Sequence, residues 1–147
     1  MKNKKTAFTL IELLVTISII AVLVVVTSIS FTDVRKNSKD AKRINNIKQI
    51  QFALELYRRD IGTYPLSLSI NSSLVNPSSS DIIYLKKIPS NPRPESNELC
   101  PETEYSYESN GQFYYLEFCL EKNEQEISSG YNCASISGIA TGTCPSL

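Results

Sequence analysis

Phe8–Phe31 reads FTLIELLVTISIIAVLVVVTSISF, an almost wholly apolar run with a single charge, Glu12, close to its start. About 24 residues at 1.5 Å rise per residue would give a helix about 36 Å long, enough to cross a bilayer with some tilt. Inside lipid every backbone donor and acceptor has to be satisfied within the segment, so the run is expected to be helical despite its many β-branched residues. Glu12 is the residue that needs explaining. A carboxylate at the centre of a membrane helix costs about 2.5–3.5 kcal/mol on insertion scales, so Glu12 either reaches the interface or has a partner.

Residues 1–7, MKNKKTA, form a short leader with Lys2, Lys4 and Lys5. Basic residues before an apolar span favour keeping that end in the cytoplasm. A secretory signal has an apolar core of only about 7–15 residues followed by a small-residue cleavage site. Here the run is longer and the change in composition precedes it, between Ala7 and Phe8.

Beyond the run, residues 33–61 carry eight Lys/Arg and four Asp/Glu, a net of +4, whereas residues 62–147 carry four and ten, a net of −6. Both flanks of the apolar run are therefore basic, and charge alone does not orient it. Either the basic stem and acidic head are ordinary solvated faces, or the stem attracts anionic headgroups or another subunit's head. Cys100, Cys119, Cys133 and Cys144 all lie on the far side. An even count in a small loop-rich domain points to disulfides and an oxidising compartment. Wide spacing, no C-x-x-C and no His argue against a zinc site. Three pairings are open; the ones nearest in sequence, Cys100–Cys119 and Cys133–Cys144, are expected.

The helix is expected to continue to Ile61. Ala41, Ile44, Ile47, Ile50 or Gln51, Leu54, Tyr57 and Ile61 recur at helical spacing, widened by Phe52 and Leu56. Lys36, Lys39, Lys42, Arg43, Lys48 and Arg59 are placed on the opposite, solvated face. No Pro or Gly interrupts 8–61, Gly62 suits a C-cap, and Pro65 a stop. Such a helix, about 80 Å long, is more than a domain of roughly 115 residues can bury.

Residues 66–80, rich in Ser, Asn and Pro, read as a surface loop, with a short strand or turn at Ile82–Leu85. Pro89, Pro92 and Pro94 exclude regular structure over 86–98. Thr103–Ser109, Asn110-Gly111 and Gln112–Leu120 read as a hairpin with a type I′ turn. That turn pairs Tyr105 with Leu116 and Tyr107 with Tyr114, on a face that also carries Phe118 and Leu120. Six Tyr/Phe between Tyr105 and Phe118 suggest either a core face or a stacking platform for single strands. The acidic surroundings favour the core. Residues 121–147 are Gly/Ser/Asn-rich, with room for an edge strand or a disulfide-closed loop. With no His, no nucleophile motif and no phosphate-binding loop, catalysis is not expected.

The leader and the start of the run together, Lys4-Lys5-Thr6-Ala7-Phe8-Thr9-Leu10-Ile11-Glu12-Leu13-Leu14, resemble the class III leader of type IV pilins and type II secretion pseudopilins. Ala7 stands where that family normally has Gly. Ile44–Pro65, INNIKQIQFALELYRRDIGTYP, is similar to the helix end of the major, G-type pseudopilin. The resemblance covers about the first 65 residues and is loose beyond them. It implies cleavage between Ala7 and Phe8, N-methylation of Phe8, and pairing of Glu12 with the amino terminus of a neighbouring subunit. It also implies an α+β, pilin-like fold: a long N-terminal helix, membrane-spanning then amphipathic, packed on a small antiparallel sheet. The parts are then a leader over 1–7, a membrane or filament-core helix over 8–31, its amphipathic continuation over 32–64, and a disulfide-rich head over 65–147.

The function expected is a structural filament subunit of a pilus or secretion pseudopilus. The alternatives are a minor pilin with an adhesive or DNA-uptake head, or a monomeric membrane-anchored domain. Expected partners are further copies, a prepilin peptidase/methyltransferase, an inner-membrane assembly platform and, before assembly, the bilayer; nucleic acid is not expected. The N-terminus is placed in the cytoplasm and the head outside the inner membrane. Some G-type pseudopilins hold calcium in the C-terminal loop. Here Glu124 and Glu126 are present but no Asp lies beyond Asp81, so no metal or cofactor is expected.

Overall fold

The computed structural model describes residues 8–93, 99–100, 104–124 and 126–147, without the side chains of 27–30 and 32. One helix, α1 (Leu10–Ile61, 52 residues), is followed by strands β1 (Leu74–Asn76), β2 (Ser79–Leu85), β3 (Ser106–Ser109), β4 (Tyr114–Leu120), β5 (Gly130–Ser135) and β6 (Gly138–Thr141). The chain divides into two compact units, residues 1–35 and 36–147.

In the first unit α1 starts at Leu10, with Phe8 and Thr9 ahead of it. Every described side chain from Leu10 to Val26 is exposed, Leu10 at 81% and Val26 at 63%. Only helix geometry orders this half; no other element of its own unit covers it.

The second unit is α+β: the rest of α1 packs on antiparallel sheets. β3, β4, β5 and β6 form one sheet in sequence order, and β1 and β2 a separate two-stranded ribbon. Ile44, Ile47, Ile50, Ala53 and Leu54 of α1 are buried with Tyr114, Leu116, Phe118 and Leu120 of β4 and Ala134 of β5. Burial at this level is worth about 1.5–3 kcal/mol for each large aliphatic side chain. Tyr57 of α1 meets Tyr84 of β2 edge to face, centroids 5.4 Å apart, so the ribbon also leans on the helix.

The end of α1 shows why Gly62-Thr63-Tyr64-Pro65 has that composition. Gly62 takes φ +89° and donates to the Arg58 carbonyl at 2.7 Å, closing the last turn as a left-handed cap. Tyr64 then turns inward, 1% exposed, with its ring 4.8 Å from Tyr114. Its N–H donates to the Gly111 carbonyl (2.8 Å), while the Tyr107 hydroxyl donates to the Pro65 carbonyl (2.8 Å). Helix end and hairpin are stitched together at this point.

Several sequence expectations need correction. The residues read as a loop over 66–80 include β1 and the first part of β2; the strand pairing comes from backbone partners that a Ser-rich composition does not advertise. The sheet is larger than a hairpin with an edge strand, because the Gly/Ser-rich tail folds into β5 and β6 around an Ile136-Ser137 turn. The hairpin register also differs: Tyr107 pairs with Leu116 and Ser109 with Tyr114, two residues away from the type I′ alignment. The Asn110 side chain causes the shift. Its Oδ1 accepts from the N–H groups of Gln112 (3.0 Å) and Phe113 (2.9 Å), and its own N–H donates to the Phe113 carbonyl (3.2 Å). A four-residue loop, Asn110–Phe113, replaces the two-residue turn. A shift of two keeps every side chain on its expected face, so the apolar face survives. On α1, Ala41 and Phe52 (67% exposed) lie outside the core, whereas Arg43, expected on the solvated face, is 1% exposed.

Candidate assembly site

The chemistry at the start of α1 follows from one polar pair in an apolar setting. Thr9 is the N-cap: its hydroxyl oxygen accepts from the Glu12 N–H at 3.3 Å. Glu12 reaches back, and its Oε2 accepts from the Thr9 N–H (2.9 Å) and the Thr9 hydroxyl (2.7 Å). This is a capping box, T-x-x-E, which satisfies orphan donors at the helix start and sets an anion at the positive end of the helix dipole. Farther along, Thr16 and Ser18 donate their hydroxyls to the carbonyls of Leu13 and Leu14, both at 2.8 Å. These groups thus present little free polarity. The resulting exposed apolar surface greatly exceeds the patches a soluble monomer normally tolerates.

Phe8, the residue expected to become the new N-terminus, is 82% exposed. Ala7 and the leader lysines lie outside the described residues. Among the described residues no helix is long and apolar enough to cross a membrane. The side chains of 27–30 fall outside that set, and the remaining run, Leu10–Val26, is shorter than the about 20 residues a span needs.

The second unit holds its half of α1 through a buried polar cluster that the apolar stripe did not reveal. Arg43 Nη1 donates to Asp40 and, at 3.0 Å, to Glu121 Oε1. Its Nε donates to Asn91 Oδ1 (3.0 Å) and its Nη2 to the Pro92 carbonyl (2.8 Å). Asp40 also accepts from the backbone N–H groups of Glu121 (3.1 Å) and Lys122 (2.8 Å). Asn46 donates to the Ser90 carbonyl (3.2 Å) and the Tyr105 hydroxyl (3.0 Å). Helix, proline-rich segment and the turn after β4 therefore meet at one guanidinium. Pairing and hydrogen bonding are what make a charge tolerable at 1% exposure. The sequence signal was available: Asp40 and Arg43 are opposite charges at i, i+3 on the stripe of Ile44, Ile47 and Ile50.

The four cysteines form two disulfides, Cys100–Cys119 (Cα–Cα 5.6 Å) and Cys133–Cys144 (5.0 Å). The first ties the segment before β3 to β4; the second ties the C-terminal segment to β5, and Glu117 of β4, the cross-strand partner of Cys133, accepts the Cys144 N–H through Oε2 at 3.0 Å. Burial pushes the phenols of Tyr105 and Tyr114 up to about 12 and raises that of Tyr107, so all three stay protonated at neutral pH. The Tyr107 hydroxyl donates to the Pro65 carbonyl, whereas those of Tyr105 and Tyr114 accept from Asn46 and Gln51. Among the described residues no group of three or more Cys, Asp or Glu is placed to hold a metal ion.

Residues 2–28 match the family model of the prokaryotic N-terminal methylation motif. The match spans the basic leader, Ala7-Phe8, the Thr9–Glu12 cap and most of the apolar run, and it supports a type IV pilin-like family. No curated protein and no solved structure matches the chain. The resemblance of Ile44–Pro65 to the G-type subunit therefore rests on the residues alone.

Proposed function

We propose that the chain is a structural filament subunit of a type IV pilus or type II secretion pseudopilus. It is made as a membrane-inserted prepilin, cut between Ala7 and Phe8, methylated on the new Phe8 amine, and assembled helically through its apolar helix. One observation carries this reading: the methylation motif over residues 2–28 coincides with a helix start whose apolar side chains are all exposed. Before assembly, lipid shelters those side chains, with the N-terminus cytoplasmic and the head outside the inner membrane; afterwards neighbouring copies do so. The peptidase/methyltransferase and an inner-membrane assembly platform are the partners this route requires. The chain has no catalytic role in it.

Glu12 has two successive partners in this scheme. In the single subunit it completes the cap with Thr9. In the filament it faces the methylated ammonium of a neighbouring Phe8, and the two opposite charges neutralise each other away from water. Intact mass of the membrane-extracted protein tests the processing step. The expected species lacks residues 1–7 and carries one added methyl group; a mass retaining Met1–Ala7 overturns the proposal. Replacing Glu12 by Ala is expected to abolish filaments while leaving the membrane-bound subunit intact. Normal filaments from that variant would instead favour an interfacial Glu12.

A further inference from the structure

Asn110-Gly111 is the one Asn-Gly pair in the chain. In such a pair the glycine nitrogen, unhindered by a side chain on its own residue, can attack the asparagine Cγ. A Gly111 N–Cγ bond forms, the Cγ–Nδ2 bond breaks, and ammonia leaves. Water then opens the succinimide at either carbonyl, giving aspartate or isoaspartate. No oxidant, reductant or enzyme is required. Asn110 is exposed, so water has access.

The loop opposes this reaction with four hydrogen bonds. The attacking nitrogen is held: the Gly111 N–H donates to Ser109 Oγ at 3.0 Å, and that hydroxyl is itself fixed by donating to the Phe113 carbonyl at 3.0 Å. The electrophile is held as well, since Asn110 Oδ1 accepts from two N–H groups on its far side, those of Gln112 and Phe113. Ring closure has to rotate the carboxamide away from both donors. Those donors also polarise the carbonyl, which by itself would favour attack. Two ordinary hydrogen bonds broken to reach the ring outweigh that assistance, slowing closure by roughly tenfold to thirtyfold.

We propose that Asn110 is a latent modification site, converted to isoaspartate by way of a succinimide, and that Ser109 and the loop hydrogen bonds gate the conversion. The consequence is local and structural. Isoaspartate inserts a methylene into the main chain just before Gly111, whose φ of +87° and whose carbonyl, accepting the Tyr64 N–H at 2.8 Å, fasten the hairpin to the end of α1. Conversion draws that carbonyl off its donor and loosens the joint. Ser109 is a positioning residue here, acting through the Gly111 N–H.

The test incubates the full chain in detergent micelles at mildly alkaline pH, folded and in urea. The 110–111 peptide is then followed by mass and by isoaspartate-specific methyl transfer. Wild type is expected to convert at least about tenfold faster in urea than when folded. Ser109→Ala is expected to convert about fivefold faster than wild type when folded, the weight of one hydrogen bond, and at the wild-type rate in urea. Equal folded and unfolded rates for wild type overturn the proposal, as does an unchanged folded rate in Ser109→Ala. Should that variant not fold, by circular dichroism, the wild-type comparison decides alone. The outcome does not depend on whether filaments form.

Discussion

The two ends of α1 solve opposite problems. Over Leu10–Val26 apolar side chains lie open and the few polar groups bond within the helix itself. Over Asp40–Leu54 even an arginine and an aspartate are buried, and they bond to segments far away in sequence. The second stretch is satisfied by its own chain. The first exposes apolar side chains that its own unit does not cover, and uncovered apolar surface of that extent is unfavourable in water. A self-satisfied fold at one end of α1 and uncovered apolar side chains at the other are the combination that the proposed filament subunit requires.

The sharpest way to break this contrast is to remove the charge at the centre of the self-sufficient end. Arg43→Ala takes from the buried carboxylates of Asp40 and Glu121 the guanidinium that neutralises them, and the expected loss is about 3–5 kcal/mol of head stability. Arg35→Ala, at an exposed position of the first unit, is the control, with an expected change within about 0.5 kcal/mol. Urea unfolding of detergent-solubilised protein, followed by near-ultraviolet tyrosine signal, measures both. Equal effects would mean that the Arg43 cluster is no more than a surface ion network.

Next in size is the disulfide between Cys100 and Cys119, which closes a loop with a sequence separation of 19. Replacing both cysteines by Ser is expected to cost about 3 kcal/mol in the same assay. The helix content of the first unit should be untouched, since neither cysteine belongs to it. A loss of signal from both units together would merge the two ends into one cooperative block.

Legibility in the sequence follows the same division. The helix was readable from periodicity and its end from Gly62 and Pro65, because composition fixes both locally. The apolar face of the hairpin was readable because alternation survives a register shift of two. What remained hidden depends on contacts distant in sequence. Arg43 reads as a solvated cation until Glu121 and Pro92 are brought to it, and β1 reads as loop until β2 supplies its partners. Asn110-Gly111 was misread because the dipeptide favours a type I′ turn, while the Asn side chain and the Tyr64 N–H stabilise a longer loop. At the N-terminus the motif was legible as a motif. The Thr9–Glu12 cap was not drawn from it, although T-x-x-E before an apolar run is its signature.

The buried phenols give a third probe, specific to the second unit. Tyr105 and Tyr114 are held up at about 12 in the fold against an ordinary value near 10 when unfolded. Between those limits the folded chain binds more protons than the unfolded one, so stability falls as pH rises. It is fully present below about pH 10 and declines by up to about 1.4 kcal/mol per pH unit for each such phenol until about 12. An alkaline titration should therefore lose near-ultraviolet signal from the head while the far-ultraviolet helix signal of the first unit, which carries no tyrosine, persists longer. Simultaneous loss would again deny the two-regime picture.

The smallest effect expected is at Thr9, and it separates the two roles of Glu12. Thr9→Ala removes the hydroxyl that accepts the Glu12 N–H and donates to Oε2, a cap worth about 1 kcal/mol to the helix start. Hydrogen exchange at the Glu12 amide should quicken by about fivefold in the solubilised subunit. The carboxylate itself stays in place, now with one fewer internal donor. If capping competes with pairing to a neighbour, the variant should assemble at least as readily as wild type despite its frayed start. If the cap is instead what aims Glu12 at its neighbour, assembly should drop together with the exchange protection. The direction of that one change decides whether the intrahelical bond is a resting place for the charge or the device that presents it.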